Sequence, residues 1–179
     1  TAEPVLLNFN ETFDLNTGKS SKKYEKVNPS ARMEYIKNTL SKKKYTYEED
    51  EMPKNDELSI LFEKSIKRLK SKADEISFSE KNLNLYFDLS DNKFFKVKMD
   101  NFDNKIIDHI DYSTNYMRFK LDPRLLKRAL MGPKYANWNN IEIGAHLDFE
   151  RKPDIQKMNV HILLNSMHIW FTLKLINFN

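Results

Sequence analysis

Leu83-Asn-Leu-Tyr-Phe-Asp-Leu-Ser-Asp-Asn-Lys-Phe-Phe-Lys-Val-Lys-Met99 is the stretch that decides the fold. Leu83, Leu85, Phe87 and Leu89 alternate with polar residues, Asp91-Asn92 supply a tight turn, and Phe95, Val97 and Met99 alternate again. A period of two on both sides of such a turn predicts a β-hairpin with one buried face. Downstream, Ile106 to Tyr112 and Tyr116 to Leu121 read as two more strands around Ser113-Thr114-Asn115. Ile141, Ile143, Ala145, Leu147 and Phe149 alternate once more and predict a further strand, broken only by Gly144.

Upstream the period changes. Leu58, Leu61, Phe62, Ile66, Leu69 and Ala73 form an apolar stripe at helical spacing, so a helix is expected over roughly 56–75, capped by Asn55 or Asp56. Asn28-Pro29 opens an earlier helix over roughly 29–42, with Met33, Ile36 and Leu40 on one side and Lys42-Lys43-Lys44 at its end. Asp122-Pro123 starts a short helix closed by Gly132-Pro133, and Pro153-Asp154 a last one through Ile155, Met158, Ile162 and Leu163. Val5-Leu6-Leu7 and Phe9 read as an extended arm. Strands joined by tight turns, with helices before, between and after them, predict an α+β class: an antiparallel sheet of four to five strands with helices on one face, preceded by a helical, Lys-rich arm. The expected division is 1–54, an extended arm and first helix, and 55–179, the α+β unit.

Composition narrows the chemistry. The chain has 179 residues, no cysteine and only 3 glycines. Disulfide frameworks, thiolate metal sites, cysteine nucleophiles and Gly-rich phosphate loops are thereby excluded. Thirty Lys and Arg face 26 Asp and Glu, but nine of the basic residues fall between Lys19 and Lys44, opposed there only by Glu25 and Glu34. Lys22, Lys23, Lys26, Lys42, Lys43 and Lys44 make the densest part of this basic patch. Lys dominates over Arg and no base-stacking motif accompanies it, so nucleic acid is disfavoured as a partner, although acidic-partner or nucleic-acid binding stays as an alternative. No run of 18 apolar residues predicts a membrane span, and no signal peptide precedes the start, so a cytoplasmic location is expected. The start lacks Met, which reads as a fragment or processed product, and Ile169 to Phe178 is an unusually apolar end, either a docked strand or a surface for something else.

Four histidines, at 109, 146, 161 and 168, show neither the i, i+4 metal spacing nor a His-x-His pair. His109 and Asp111 are expected on one face of a strand. Glu142, His146, Asp148 and Glu150 alternate on the strand expected from 141, next to Arg151 and Lys152, as either a ligand-contact face or an ordinary wet strand face. Trp138-Asn139-Asn140 precedes that strand. The indole either stacks on a ligand ring beside two amides or plugs the core.

The runs Tyr116-Met-Arg-Phe-Lys-Leu-Asp-Pro-Arg-Leu-Leu-Lys-Arg-Ala-Leu-Met-Gly132 and Asn137-Trp-Asn-Asn-Ile-Glu-Ile-Gly-Ala-His-Leu-Asp-Phe-Glu-Arg-Lys-Pro-Asp154 resemble the C-terminal region of large metallo-β-lactamase-fold proteins related to CMP-N-acetylneuraminate and UDP-muramic-acid hydroxylases. The helix ending in Gly132 and the Ile141-Glu-Ile-Gly144 run also resemble a sterol-carrier-like α+β unit, in which a strand follows such a helix near a ligand tunnel. The His-x-His-x-Asp-His metal motif of the first family is absent from this chain, so no catalytic residue carries over and no cofactor is expected here. The resemblance implies a non-catalytic accessory domain C-terminal to a missing metal-binding domain, serving substrate binding, with a sugar-nucleotide or other small-molecule ligand, or homodimerisation. An alternative is a lipid or small-molecule module with an apolar tunnel. The candidate ligand contacts are Trp138, Asn139, Asn140, Glu142, His146 and Arg151.

Overall fold

The computed structural model describes residues 6–7, 10–26, 28–154 and 158–169. The expected arm residues Val5 and Phe9, the helix start at Ile155 and the apolar end from 170 onward lie outside the described residues. The chain divides into two compact units, Thr1–Tyr45 and Thr46–Asn179.

In the first unit, β1 (Phe13–Asp14) pairs antiparallel with β2 (Lys19–Ser20). The Asp14 carboxylate accepts from the Asn16 and Thr17 amides, and Gly18 takes a φ of +65° that suits glycine. Helix α1 runs Pro29–Asn38, capped as expected by Asn28, whose side chain accepts from the Ser30 amide at 2.9 Å. It ends before the expected 42, and a separate 3-10 turn covers Leu40–Lys42. None of its residues is buried, and the expected apolar positions Met33 and Leu40 are exposed.

The second unit opens with a 3-10 turn, Thr46–Glu49. Residues 46–54, within the span expected as arm and first helix, fall in this unit, where two arginines hold the turn. These come from α3 (Pro123–Met131): Arg124 donates to the Glu48 carbonyl, and Arg128 donates to the Asp50 carboxylate and to Thr46. Helix α2 spans Asn55–Glu75 and buries Leu58, Phe62, Ile66, Leu69 and Ala73 on one stripe. Asn55 does not cap it. Its side-chain amide instead exchanges two hydrogen bonds with the backbone of Ser90 in the hairpin turn.

The sheet has five strands in the order β5-β4-β3-β6-β7, with β3 Leu83–Asp88, β4 Phe94–Lys98, β5 Asn104–Ile107, β6 Asn115–Lys120 and β7 Asp148–Lys152. The hairpin β3–β4 forms as its alternation demands, and Asp91 and Asn92 both take positive φ, as a tight hairpin turn requires. The sheet is mixed, not wholly antiparallel, because β6 pairs parallel to β3. That pairing needs a crossover, and residues 108–114 supply it. The strand expected from Ile106 to Tyr112 therefore stops at Ile107.

The second correction lies at 138–143. The alternation from Ile141 predicts a strand, but Trp138–Ile143 is helix α4, and β7 begins only at Asp148. Asn137 caps α4 by accepting from the Asn139 amide, and only Trp138, Ile141 and Leu147 of this run are buried. Ile143 is 85% exposed, so the alternation was not a buried face. Helix α5 (Met158–Leu164) completes the unit.

α2, α3, α4 and α5 all pack on one sheet face, where Leu85, Phe87, Phe95, Val97, Met117 and Phe119 point. The unit is therefore α+β with helices on one face. Rings fill the interface: Phe62 stacks on Phe95 with centroids 4.1 Å apart, and Phe87 on Phe119 at 4.9 Å. Among the described residues no helix is long and apolar enough to cross a membrane.

Trp138 is 2% exposed, lies 6.3 Å from the Phe87 ring and donates its indole N–H to the Met167 carbonyl at 3.1 Å. Of its two expected roles the geometry is that of the core plug. Trp138→Ala is expected to lower the unfolding free energy by about 3–5 kcal/mol, through lost transfer energy and the cavity left behind. A urea titration followed by circular dichroism checks this, and a loss under about 1 kcal/mol would contradict the packing described.

Candidate functional site

None of the described helices of this unit packs on the sheet's other face. Along β3 and β4 that face presents Asn84, Tyr86, Asp88, Phe94, Lys96 and Lys98, alternating with the core residues. β6 adds Tyr116 and Arg118, and β7 adds Glu150 and Lys152. The crossover passes over this face, seating Ile110 against Tyr86 and Tyr116 in a small second apolar cluster. Tyr86 is fully buried there, and its hydroxyl has no hydrogen-bond partner among the described residues.

Arg118 organises the charges. It donates to both oxygens of Asp88, at 2.8 and 2.9 Å, and to Glu150 at 3.0 Å. Its guanidinium lies 5.3 Å from the Phe94 ring centre. A bidentate fork on a rigid sheet is the strong form of such a pair, and the Asp88 bonds raise the guanidinium pKa further above its ordinary value. The Tyr116 hydroxyl donates to Glu150 at 2.7 Å. That bond, then Arg118, holds the Glu150 carboxyl below its ordinary value. The same bond pushes the Tyr116 phenol up to about 12, because the ionised oxygen could no longer donate to a carboxylate.

Beside this network lies an open groove of about 540 Å³, lined by Lys81, Asn84, Lys96, Lys98, Thr114 and Asn115 among others. Its floor is the β3–β4 pair Asn84 and Lys98, set opposite each other, with Lys96 two residues along. Its wall is the end of the crossover. There Asp111 accepts from the Ser113 amide and hydroxyl, which hold its carboxyl below the ordinary value, and Thr114 accepts from Asn84. Lys96 sits 5.5 Å from the centre of the Tyr86 ring, a cation–π distance. His109, expected to share a strand face with Asp111, lies on the crossover instead.

The six residues proposed from sequence do not converge. Trp138 is in the core. Asn139 accepts from the Asn165 side chain at 2.7 Å, at the rim of a separate groove of about 480 Å³ that Arg68 also lines. Asn140 is exposed on α4. Glu142 meets His161 at 3.1 Å. His146 lies after α4 with its ring edge-on to Tyr47, 6.1 Å between centroids. Arg151 donates to Asp154 at 2.7 Å. The expected row of Glu142, His146, Asp148 and Glu150 on one strand face is split, since the first two precede β7. The six lysines of the basic patch are all exposed in the first unit.

Two groups escaped the sequence reading. Arg118 and Asp88 sit on strands whose pairing is not local, so no spacing could link them. His161 belongs to α5, and its Nε2 and the Glu142 Oε1 are buried without partners among the described residues, beneath the edge of the Phe149 ring. His168 accepts at Nδ1 from Arg68 at 2.9 Å, and burial, then Arg68, holds its pKa below the ordinary value. Among the described residues no three His, Asp or Glu side chains come together as a metal site.

Absorbance at 295 nm should show one tyrosine ionising near pH 12, and in Glu150→Gln that phenol should titrate back toward the ordinary value of about 10. The stability from this bond is present below pH 10 and lost as pH rises through 12, because folding favours the protonated phenol. For the second pair, each side chain is 17% exposed. Glu142→Leu or His161→Leu alone should cost about 1–3 kcal/mol by orphaning the other group, and the double variant should cost less than the sum. Additive losses in a double-mutant cycle would mean the pair does not interact.

Compared with family models, curated proteins and solved structures, the chain matches none. The resemblance to the metallo-β-lactamase-fold and sterol-carrier-like proteins thus stands on the residues quoted for it.

Proposed function

We propose that the Thr46–Asn179 unit is a non-catalytic accessory domain of a metal-dependent hydrolase- or hydroxylase-like protein, and that it contributes substrate contacts through the helix-free face of its sheet. The observation that carries this reading is the groove between β3, β4 and the crossover. It is open and lined by ammonium, amide, hydroxyl and carboxylate groups (Asp100 and Asp111 among them), with a floor on strands held rigid by the packed core behind them. Ligand sites commonly combine such a preformed concavity with a few convergent polar groups. Of the sterol-carrier-like pattern, the helix ending at Gly132 is present, whereas the Ile141-Glu-Ile-Gly144 run expected as the following strand begins in helix α4, and the next strand is β7 at Asp148.

The apolar-tunnel alternative draws less from the structure. The space between sheet and helices is occupied by Phe62, Phe87, Phe95 and Phe119, whose rings lie 4.1–5.0 Å from one another in successive contacts. A basic surface for an acidic partner would use Lys22, Lys23, Lys26, Lys42, Lys43 and Lys44 of the first unit.

The test is an NMR titration of the full chain with uridine and cytidine sugar nucleotides. The expected outcome is saturable shifts of the Asn84, Lys96 and Asn115 amides, weakened roughly tenfold by Asn84→Ala as a charge-independent contact is lost. Shifts confined to residues 19–44, or no shifts at millimolar ligand, would overturn the reading.

A further inference from the structure

We propose that Lys96, Lys98 and Lys105 on the helix-free face form a subsite for the phosphate group of a small soluble ligand. This rests on the reading of that face as a binding surface. The β4–β5 register sets Lys96 directly opposite Lys105. Residues directly opposite in an antiparallel pair share a face, with Cβ atoms roughly 4.5–5.5 Å apart. Lys98, two residues along β4, is on that face too. Three ammonium-bearing side chains therefore rise from neighbouring positions, and like charges in this arrangement weaken strand pairing.

The opposite edge of the same sheet face is built differently. Across β6–β7, Arg118 stands opposite Glu150 and Lys120 opposite Asp148. One edge of the face matches its charges across the strands and the other does not. Among the described residues none of the three lysines has a carboxylate within 4 Å, whereas Lys72 and Lys127 each do. Asp100, Asp103 and Asp111 line the same region. Two of them are held by neutral donors, Asp103 by the Asn101 side chain at 2.6 Å and Asp111 by Ser113, and the charge of Lys96 reaches Asp111 without an ion-pair contact. An anion is the group that would resolve the mismatch.

The space for it exists. The groove of about 540 Å³ and a second of about 260 Å³, which Lys105 lines, share Lys96 and Lys98 as their common wall. A phosphate carries close to two negative charges near neutral pH and three acceptor oxygens, enough to meet three ammonium groups at once. The Tyr86 ring beneath Lys96 holds one of them over the sheet. A nucleic acid would want exposed rings for base stacking. Here Tyr86 is buried, Phe94 lies under Arg118, and the exposed ring of the crossover, Tyr112, sits edge-on to Tyr116 at the β6 end of the face, away from the lysines of β4 and β5.

The experiment titrates the full chain with sodium pyrophosphate at constant ionic strength, against sodium chloride as control. Amide shifts report the site and melting temperature reports linkage. Pyrophosphate should shift the amides of 96–98 and 105 and raise the melting temperature, and Lys96→Gln with Lys105→Gln should weaken binding roughly tenfold or more. Lys105→Glu gives a readout that a mere surface lysine would not. Without anion it should melt higher than the wild-type chain at low salt, because a like-charge pair becomes an opposite one, and its pyrophosphate response should vanish. A pyrophosphate effect no larger than that of chloride, a full response in Lys105→Glu and in the double Gln variant, or binding of poly(U) without binding of pyrophosphate would each overturn the subsite. If sugar nucleotides shift the groove while pyrophosphate does not, the subsite fails and the binding-face reading stands. If neither shifts it, both fail.

Discussion

The parallel pairing of β3 with β6 is the constraint on which the second unit depends. Antiparallel neighbours can be joined by a tight turn, as β3 and β4 are, but a parallel pair forces the chain to travel back across the sheet. Helices already occupy one face, so the return uses the other. The segment 108–114 makes that return without a helix, which leaves the face only partly covered. Its middle seats Ile110 on Tyr86 and Tyr116, and its end forms the wall of the groove at Asp111, Ser113 and Thr114. Topology, rather than any single side chain, thus creates a concavity on a face that a simple meander would leave flat.

What makes that face rigid is behind it. Phe87, one residue before the end of β3, touches rings from three other elements: Phe62 of α2, Phe119 of β6 and Trp138 of α4. Such a close-packed layer transmits little local give. Asp88 and Tyr86, the neighbours of Phe87 in sequence, point the other way and inherit its fixed position. The fork of Arg118 onto Asp88 can be bidentate because both strands are pinned by the stacked Phe87 and Phe119 rings on the far side.

The same logic explains what the amino-acid sequence discloses and what it hides. The hairpin is legible because its pairing is local and Asp91-Asn92 suit the positive φ of its turn. The stripe on α2 is legible because Leu58, Phe62, Ile66, Leu69 and Ala73 keep one period over five turns. The run after Trp138 misleads, since the end of a six-residue helix and a turn can mimic alternation when Ile143 happens to be apolar and exposed. Capping by Asn137 decides that segment locally, and the burial of Trp138 and Ile141, three residues apart, agrees with a helix. The link of Arg118 to Asp88 and Glu150, and of Glu142 to His161, depends on elements 19 to 32 positions apart, for which periodicity holds no signal. The candidate residues proposed around Trp138 were grouped by adjacency in the chain. A helix points adjacent residues in different directions, and the group disperses into the core, the α5 contact and the surface.

The two ends of the sheet also differ in how their charges serve the fold. On β6 and β7, Arg118, Glu150 and Tyr116 satisfy one another, so these polar groups contribute to stability and leave little for an external molecule to take. On β4 and β5, Lys96 faces Lys105, and among the described residues neither has a carboxylate within 4 Å. Folding alone gives no reason for that arrangement, since Glu or Thr opposite either lysine would strengthen the ladder. The buried Tyr86 hydroxyl beside them likewise has no hydrogen-bond partner among the described residues. Proteins tolerate such local costs where another requirement acts on the same residues, and departures from self-consistency concentrate where function resides. The mismatch lies on the face of the five-stranded sheet on which none of the unit's described helices packs, and at the mouth of the groove that the crossover creates. Position, charge and topology therefore converge on one region from independent observations, and it is not the region that the run around Trp138 indicated.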